Sequence, residues 1–256
     1  MTIDWHSHIL PGVDDGPTDI EQSVAIAVSM AAGGFTEIYC TPHLMRGCYE
    51  AGNDEVRWGV AKLQERLNAS GIPIILRSGR EYCLDEYLQA ALDDPLPLGD
   101  SRLILVEILP HSTAGMVRRL VYDVVRAGFT PVIAHPERCH LLEPSGPPNG
   151  NGGIRGVLGH LLGGGHRNGN GHSPSDATGN LLLSYLRELG CSFQGNLGSF
   201  SGFYGGQVRR TAESMRTAGI YDRYGSDLHT LEQAKIVLSG QQKQTIDNGG
   251  RMGVCW

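Results

Sequence analysis

The opening stretch TIDWHSHILPGVDDG places His6, His8 and Asp14 within nine residues, at the end of a short apolar run. Side chains two apart on an extended chain point to one side, so His6 and His8 can turn ring nitrogens toward one cation. The pattern recurs. Later apolar runs end in Thr41-Pro42-His43, Gly79-Arg80-Glu81, Glu107, His135-Pro136-Glu137-Arg138 and Asp227-Leu228-His229. Imidazole with carboxylate and no thiolate suits Mn, Fe or Zn in a hydrolytic site, and several carboxylates allow ions to be bridged. Arg138 adds a guanidinium fork that can take two phosphate oxygens at once.

For those ends to meet, the strands must run parallel and the chain must return between them. Apolar, β-branched runs predict strands at 2–6, 35–41, 72–78, 102–108, 130–134, 191–196 and, weakly patterned, 220–225. Helical periodicity fills the intervals. Thr18 and Glu21 have capping-box spacing ahead of Val24, Ile26, Val28 and Met30. Val56, Val60, Leu63 and Leu67 share a face that Gly71 closes, and Met116 to Val125, Leu182 to Leu189 and Val208 to Met215 mark further helices. Repeated β-α units predict an α/β fold, either a barrel or an open doubly wound sheet. In a barrel, all the candidate ligands lie at the C-terminal ends of the strands, where βα loops build active sites.

At 256 residues with 40% hydrophobic content, the chain is expected to form one domain, 1–256. The net charge of −6 and the dispersed 21 Lys and Arg argue against a nucleic-acid partner. No long apolar run and no basic leader predict a cytoplasmic chain without membrane insertion, and six cysteines without C-x-x-C spacing predict free thiols. Composition leaves self-association open. The Gly-, Asn- and Pro-rich segment 143–178 predicts a mobile insertion whose His160, His166 and His172 read as solvated, and the tail from 247 reads as flexible. Cys40 and Arg46 in CTPHLMR match the C-x-x-x-x-x-R spacing of thiolate phosphatases. That loop needs backbone N–H groups around phosphate, whereas Pro42 supplies none and Leu44 and Met45 are bulky, so the match reads as chance.

The ordered motifs H-S-H-I-L-P-G-V-D-D-G, C-T-P-H, G-x-E, L-V-E, A-H-P-E-R and G-S-D-L-H, spanning 3–229, resemble the polymerase and histidinol phosphatase (PHP) superfamily. They most resemble its branch of manganese-dependent bacterial tyrosine phosphatases, the CpsB/CapC type. The resemblance implies a distorted (β/α)7 barrel holding three divalent ions, Mn first, with Fe or Zn as alternatives. Carried over by position, His6, His8, Glu81 and Asp227 hold the first ion, and Glu81 bridges to a second completed by Glu107 and His135. Asp14, His43 and His229 hold a third; Asp14 is preferred to Asp15 on its spacing from His8, with Asp15-Gly16-Pro17 shaping the turn. Arg138 then binds phosphate, and Asp14 and His43 join the catalytic set. The family's second arginine, beyond the last motif, is missing: Ala234 and Lys235 stand there, leaving Lys235, Arg209 or Arg210 as stand-ins. The implied substrate is phosphotyrosine on a membrane-bound tyrosine autokinase of capsule or exopolysaccharide synthesis. A PHP phosphatase for histidinol phosphate or a nucleotide, and a non-catalytic metal-stabilised module, are the alternatives.

Overall fold

The computed structural model describes residues 2–144 and 179–246. The core of the Gly-rich insertion, 145–178, with His160, His166 and His172, and the tail from 247 lie outside them. The described chain is mixed α/β, with parallel strands in a curled sheet. Three strands, β1 (Thr2–Ser7), β2 (Phe35–Cys40) and β4 (Ile75–Ser78), form one ladder in the order β1-β2-β4. Six more, β3 (His43–Leu44), β5 (Glu81–Cys83), β6 (Leu103–Glu107), β7 (Thr130–Ala134), β8 (Ser192–Asn196) and β9 (Arg223–Gly225), form a second ladder in that order.

All of these pairings are parallel. The two ladders are continuous in the chain. Pro42 interrupts β2 before β3, and Gly79-Arg80 interrupts β4 before β5. Single hydrogen bonds from Gly79 N–H to the Cys40 carbonyl and from Glu81 N–H to the Pro42 carbonyl carry the pairing across both breaks. At the far side, Asp227 N–H donates to the His6 carbonyl at 2.7 Å and His8 N–H to the Leu228 carbonyl at 3.0 Å, tying the exit of β9 to that of β1.

The seven expected strands all form, within a few residues of their predicted limits. The two-residue β3 and three-residue β5 are additional, and each pairs only past a break. Of the expected helices, α1 (Ile20–Ala32) begins one residue later than the capping box predicts. Asp19 is its cap, accepting the Gln22 N–H at 3.0 Å, while Gln22 Oε1 reaches back to the Thr18 N–H at 3.4 Å. A charged acceptor suits the positive end of the helix dipole better than a hydroxyl. The helices α2 (Asn53–Ala69), α4 (Ala114–Arg126), α5 (Leu181–Glu188) and α7 (Gly206–Thr217) follow the predicted periodicities; α3 (Leu88–Ala91) and α6 (Leu197–Ser201) are short additions, and α8 (Leu231–Ile246) ends the described chain.

Strand alternation divides the apolar residues between two faces. Ile104, Val106, Ile133 and Phe193 join Val117, Val121, Leu183 and Leu186 of α4 and α5 on one side. Leu105, Val132 and Ala134 point the other way, into a small cluster with Leu98. A separate cluster packs α1, α2 and α8 against β2 and β4 through Ile26, Met30, Leu63, Leu67, Val237, Ile38 and Leu76.

Two glycines show opposite constraints. A Cβ on Gly225 would lie 2.5 Å from His6 Cβ and 2.8 Å from the His6 backbone nitrogen, so β9 can approach β1 only with hydrogen at this position. A Cβ on Gly59, inside α2, would meet nothing nearer than Leu10 at 3.8 Å. Gly225→Ala is therefore expected to lower stability by about 1–3 kcal/mol through overpacking, and Gly59→Ala to raise it by about 0.5–1 kcal/mol through helix propensity. Urea unfolding of both variants reads the opposite signs.

Candidate functional site

The C-terminal strand ends and the loops that follow them enclose a cavity of about 330 Å³. Its lining includes Asp15, His43, Glu81, Glu107, His135, Arg138, Tyr204, Asp227 and His229. Glu81 stands at the centre. Its Oε2, fully buried and without a hydrogen-bond partner, lies 3.2 Å from His6 Nε2, 3.2 Å from His8 Nε2 and 3.1 Å from His43 Nδ1. Its Oε1 is 3.2 Å from His135 Nε2, which is itself 3.7 Å from Glu107 Oε1.

The outer nitrogens of the first two imidazoles are occupied. His6 Nδ1 is 2.8 Å from Gln194 Oε1, and His8 Nδ1 is 2.7 Å from Asp14 Oδ2. Both partners are acceptors, so both Nδ1 atoms carry hydrogen, which leaves Nε2 of each ring to take either a proton or a cation. The two Nε2 atoms face each other at 3.1 Å. Asp227 Oδ1 joins them at 3.5 Å from His6 Nε2 and 3.3 Å from His8 Nε2. Four lone-pair atoms pointed at one spot repel unless protons or a cation fill it. Their spacing is that of donors around one ion at about 2.1 Å.

The electrostatics record the same crowding. Burial opposes charge on His6, yet the Glu81 and Asp227 carboxylates push its pKa up to about 9. Burial and then the Glu81 charge push Glu107 up to about 8, the response of two carboxylates sharing a site. His135 is held below the usual imidazole range by burial and by Arg138, and His43 by burial, which keeps both rings neutral and able to offer a lone pair. A divalent cation relieves the repulsion between Glu81 and Glu107 and uses the lone pairs of His6 and His8, so the donor set fits bound metal.

The predicted residues gather in three overlapping groups, each with donor atoms within 4.8 Å of one another: His6, His8, Glu81 and Asp227; His43, Glu81 and Glu107; and His8, Asp15, His43 and His229. His135 joins Glu81 and Glu107 through the distances above. Asp14 and Asp15 stand in exchanged places relative to the sequence reading. Asp15 Oδ1 is 3.2 Å from His229 Nε2 and 3.9 Å from His43 Nε2, and its pKa is drawn down to about 2, first by the His229 hydrogen bond. Asp14 shapes the turn instead. Its Oδ1 accepts the Gly16 N–H, and its Oδ2 accepts both the His8 ring and the His43 backbone N–H. The turn is tight enough that a Cβ on Gly16 would lie 2.1 Å from the His8 carbonyl oxygen.

Two of the ligand candidates hold left-handed backbone conformations, His135 at φ 30° and Asp227 at φ 54°. Such conformations cost about 1–3 kcal/mol each and concentrate where side chains must be aimed. Each follows the end of a strand and turns the chain sharply into the cavity wall.

Arg138 lies on a 3-10 turn, Pro136–Arg138, directly after His135. Its Nη1 donates to Asp227 Oδ2 at 2.6 Å. Arg209, Arg210 and Lys235, the expected stand-ins for a second phosphate-binding cation, are exposed and are not among the lining residues. Sequence reasoning missed Gln194, Asn196 and Tyr204. Gln194 left little signal, since its strand, Ser192–Asn196, is polar at most positions. Asn196 Nδ2 donates to Asp227 Oδ2 at 2.9 Å, and Tyr204, from the loop between α6 and α7, donates its hydroxyl to the same oxygen at 3.3 Å.

The family described as "Capsular polysaccharide synthesis, CpsB/CapC" matches residues 2–145. The tyrosine-protein phosphatase YwqE of Bacillus subtilis is 29% identical over 232 residues, 90% of this chain and 78% of that protein. The tyrosine-protein phosphatase CpsB of Streptococcus pneumoniae is 31% identical over 143 residues, 55% of this chain and 59% of that protein. A crystal structure from work on YwqE and CpsB as metal-dependent tyrosine phosphatases superposes with a TM-score of 0.75 at 26% identity, covering 98% of this chain and 89% of that one. With more than half its length matched by one family, the chain belongs to the CpsB/CapC family of capsular polysaccharide synthesis proteins.

Proposed function

We propose that this chain is a metal-dependent phosphomonoesterase acting on phosphotyrosine. The observation that carries the reading is the four-way meeting of His6, His8, Glu81 and Asp227 lone pairs beside the Arg138 guanidinium, in an open cavity. The naming of YwqE and CpsB as tyrosine-protein phosphatases supports a phosphotyrosine substrate over histidinol phosphate or a nucleotide. The substrate protein we infer is a membrane-bound tyrosine autokinase of polysaccharide assembly, met in the cytoplasm. Among the described residues no helix is long and apolar enough to cross a membrane.

In this reading the chain is one domain, and its strands form a distorted seven-stranded barrel: β2 with β3, and β4 with β5, act as single interrupted strands, and the bonds from Asp227 and His8 close β9 on β1. Three divalent ions are assigned, with manganese as the first expectation. His6, His8, Glu81 and Asp227 would hold one, Glu81, Glu107 and His135 a second, and His43, His229 and Asp15 a third. Asp14 is reassigned from ligand to the acceptor that orients His8.

Bound divalent ions would supply Lewis acidity at the phosphoryl group and acidify water for attack on phosphorus. The chain's own residues do the rest. The Arg138 fork binds equatorial phosphoryl oxygens and meets the charge that grows on them. Gln194 and Asp14 hold the His6 and His8 rings in one tautomer and one orientation, which fixes the lone pairs before substrate arrives. Phenolate, with a pKa of about 10, is a better leaving group than an alkoxide and needs less protonation as it departs.

The reading is tested with chelator-stripped protein, p-nitrophenyl phosphate and a phosphotyrosine peptide. Activity should vanish on stripping and return with manganese; hydrolysis that survives complete stripping would sink it. Glu81→Ala and His135→Ala should reduce kcat/KM at least 100-fold, in line with the loss of a ligand or its support, and lower the metal content by elemental analysis. Cys40→Ser should keep its rate within about twofold, because Cys40 is fully buried and burial pushes its thiol far above the range of a nucleophile.

The two adjacent aspartates give a sharper comparison. Asp15→Asn is expected to lower bound metal by one equivalent with the fold intact. Asp14→Asn should retain most of the metal content while weakening each ion's affinity about 10-fold, as removal of an orienting acceptor does. Metal loss in the Asp14 variant alone would restore the assignment made from sequence.

A further inference from the structure

Arg138 is the only arginine or lysine among the described residues lining the cavity, so recognition of a phosphate there depends on how one guanidinium is aimed. That aim is set from one side. The Arg138 Cζ lies 4.4 Å from the centre of the Tyr204 ring, and Nη1 is fastened to Asp227 Oδ2. The Tyr204 hydroxyl donates to that same oxygen, and Asn196 Nδ2 donates to the Tyr204 oxygen at 3.4 Å. The loop is shaped for this ring. Gly202 and Gly205, at φ 84° and 91°, bracket Tyr204, and a Cβ on Gly198 would lie 3.0 Å from Tyr204 Cε2.

Resting on the phosphatase reading, we propose that Tyr204 is a positioning residue for phosphate recognition, acting through Arg138. A stack and a bond are two independent restraints on a planar group. Together they fix the guanidinium plane at the cavity wall, so the ordering entropy of the long side chain is spent on folding rather than on substrate binding. The stack also offers the arginine an attractive face that is present before and after the phosphate binds. Tyr204 thereby offsets the lack, among the described residues, of a second arginine or lysine lining the cavity.

The test is orthophosphate binding to the manganese-loaded full chain, measured by calorimetry for the parent, Tyr204→Phe, Tyr204→Leu, Arg138→Ala and the double variant Arg138→Ala/Tyr204→Leu. Tyr204→Leu should weaken phosphate about 5- to 10-fold, the worth of one partly buried cation–π contact. Tyr204→Phe, which keeps the ring, should lose about twofold. Because Tyr204 works through Arg138, the leucine substitution should add nothing in the Arg138→Ala background. Additive losses, parent-like affinity in Tyr204→Leu, or an equal loss in the phenylalanine variant would each overturn the proposal. So would a fall in manganese content of Tyr204→Leu, which would make the residue a support for Asp227 instead. Aryl phosphate hydrolysis followed in parallel should show KM rising more than kcat falls. A parent that binds phosphate and hydrolyses nothing would overturn the phosphatase reading while leaving the binding comparison to decide the role of Tyr204.

Discussion

The Glu81 carboxylate, buried among four imidazoles, is the constraint to which the rest of the site answers. A buried charge is tolerated only when paired, and here the partners His6, His8 and His135 are themselves buried and need partners of their own. The obligation propagates outward. His6 is held by Gln194 on β8, and His8 by Asp14, whose other oxygen fixes the turn at Gly16. Asp4 accepts from the His6 and Ser226 backbones, stitching β1 to the exit of β9. One carboxylate thus sets the relative placement of strands separated by most of the chain. Divalent cations would complete this balance, which couples metal loading to stability.

Asp227 shows how one side chain serves two tasks. Its Oδ1 faces His6 and His8, while Oδ2 gathers Arg138, Asn196 and Tyr204. A candidate metal donor and a counter-charge for the arginine are therefore the two ends of a single group. Its left-handed backbone and that of His135 turn both residues out of their strands without lengthening the loops. The strain is local, and the β6-β7-β8-β9 ladder beneath pairs in unbroken register.

Much of this was legible in sequence, for a physical reason. A strand that ends at an active site keeps its apolar alternation until the last turn, and His or carboxylate residues immediately after it stand out against that background; β6 with Glu107 and β7 with His135 are the clear instances. The β3 and β5 segments were invisible because two or three residues carry no periodicity, and their pairing depends on neighbours across Pro42 and Gly79. The Asp14 and Asp15 exchange is of another kind. Adjacent identical side chains differ only in which way the turn throws them, and that is decided by close packing of Gly16 on the His8 carbonyl. Tyr204 left no local trace at all, since its partners lie on β8, beyond β9 and on the turn after β7.

The C-x-x-x-x-x-R match illustrates why spacing needs a structural setting before it means chemistry. Cys40 ends β2 with its thiol in the apolar cluster beside Ile38, where burial favours the neutral form. Arg46 lies beyond the site wall, stacked 4.5 Å over the Tyr87 ring. Between them, Pro42 cannot donate, and the backbone turns outward into β3 rather than wrapping an anion. The same heptapeptide nevertheless carries His43, whose neutral ring faces Glu81. A strand end supplies chemistry through whichever side chain its twist aims at the cavity, and here that is the imidazole three residues beyond the cysteine.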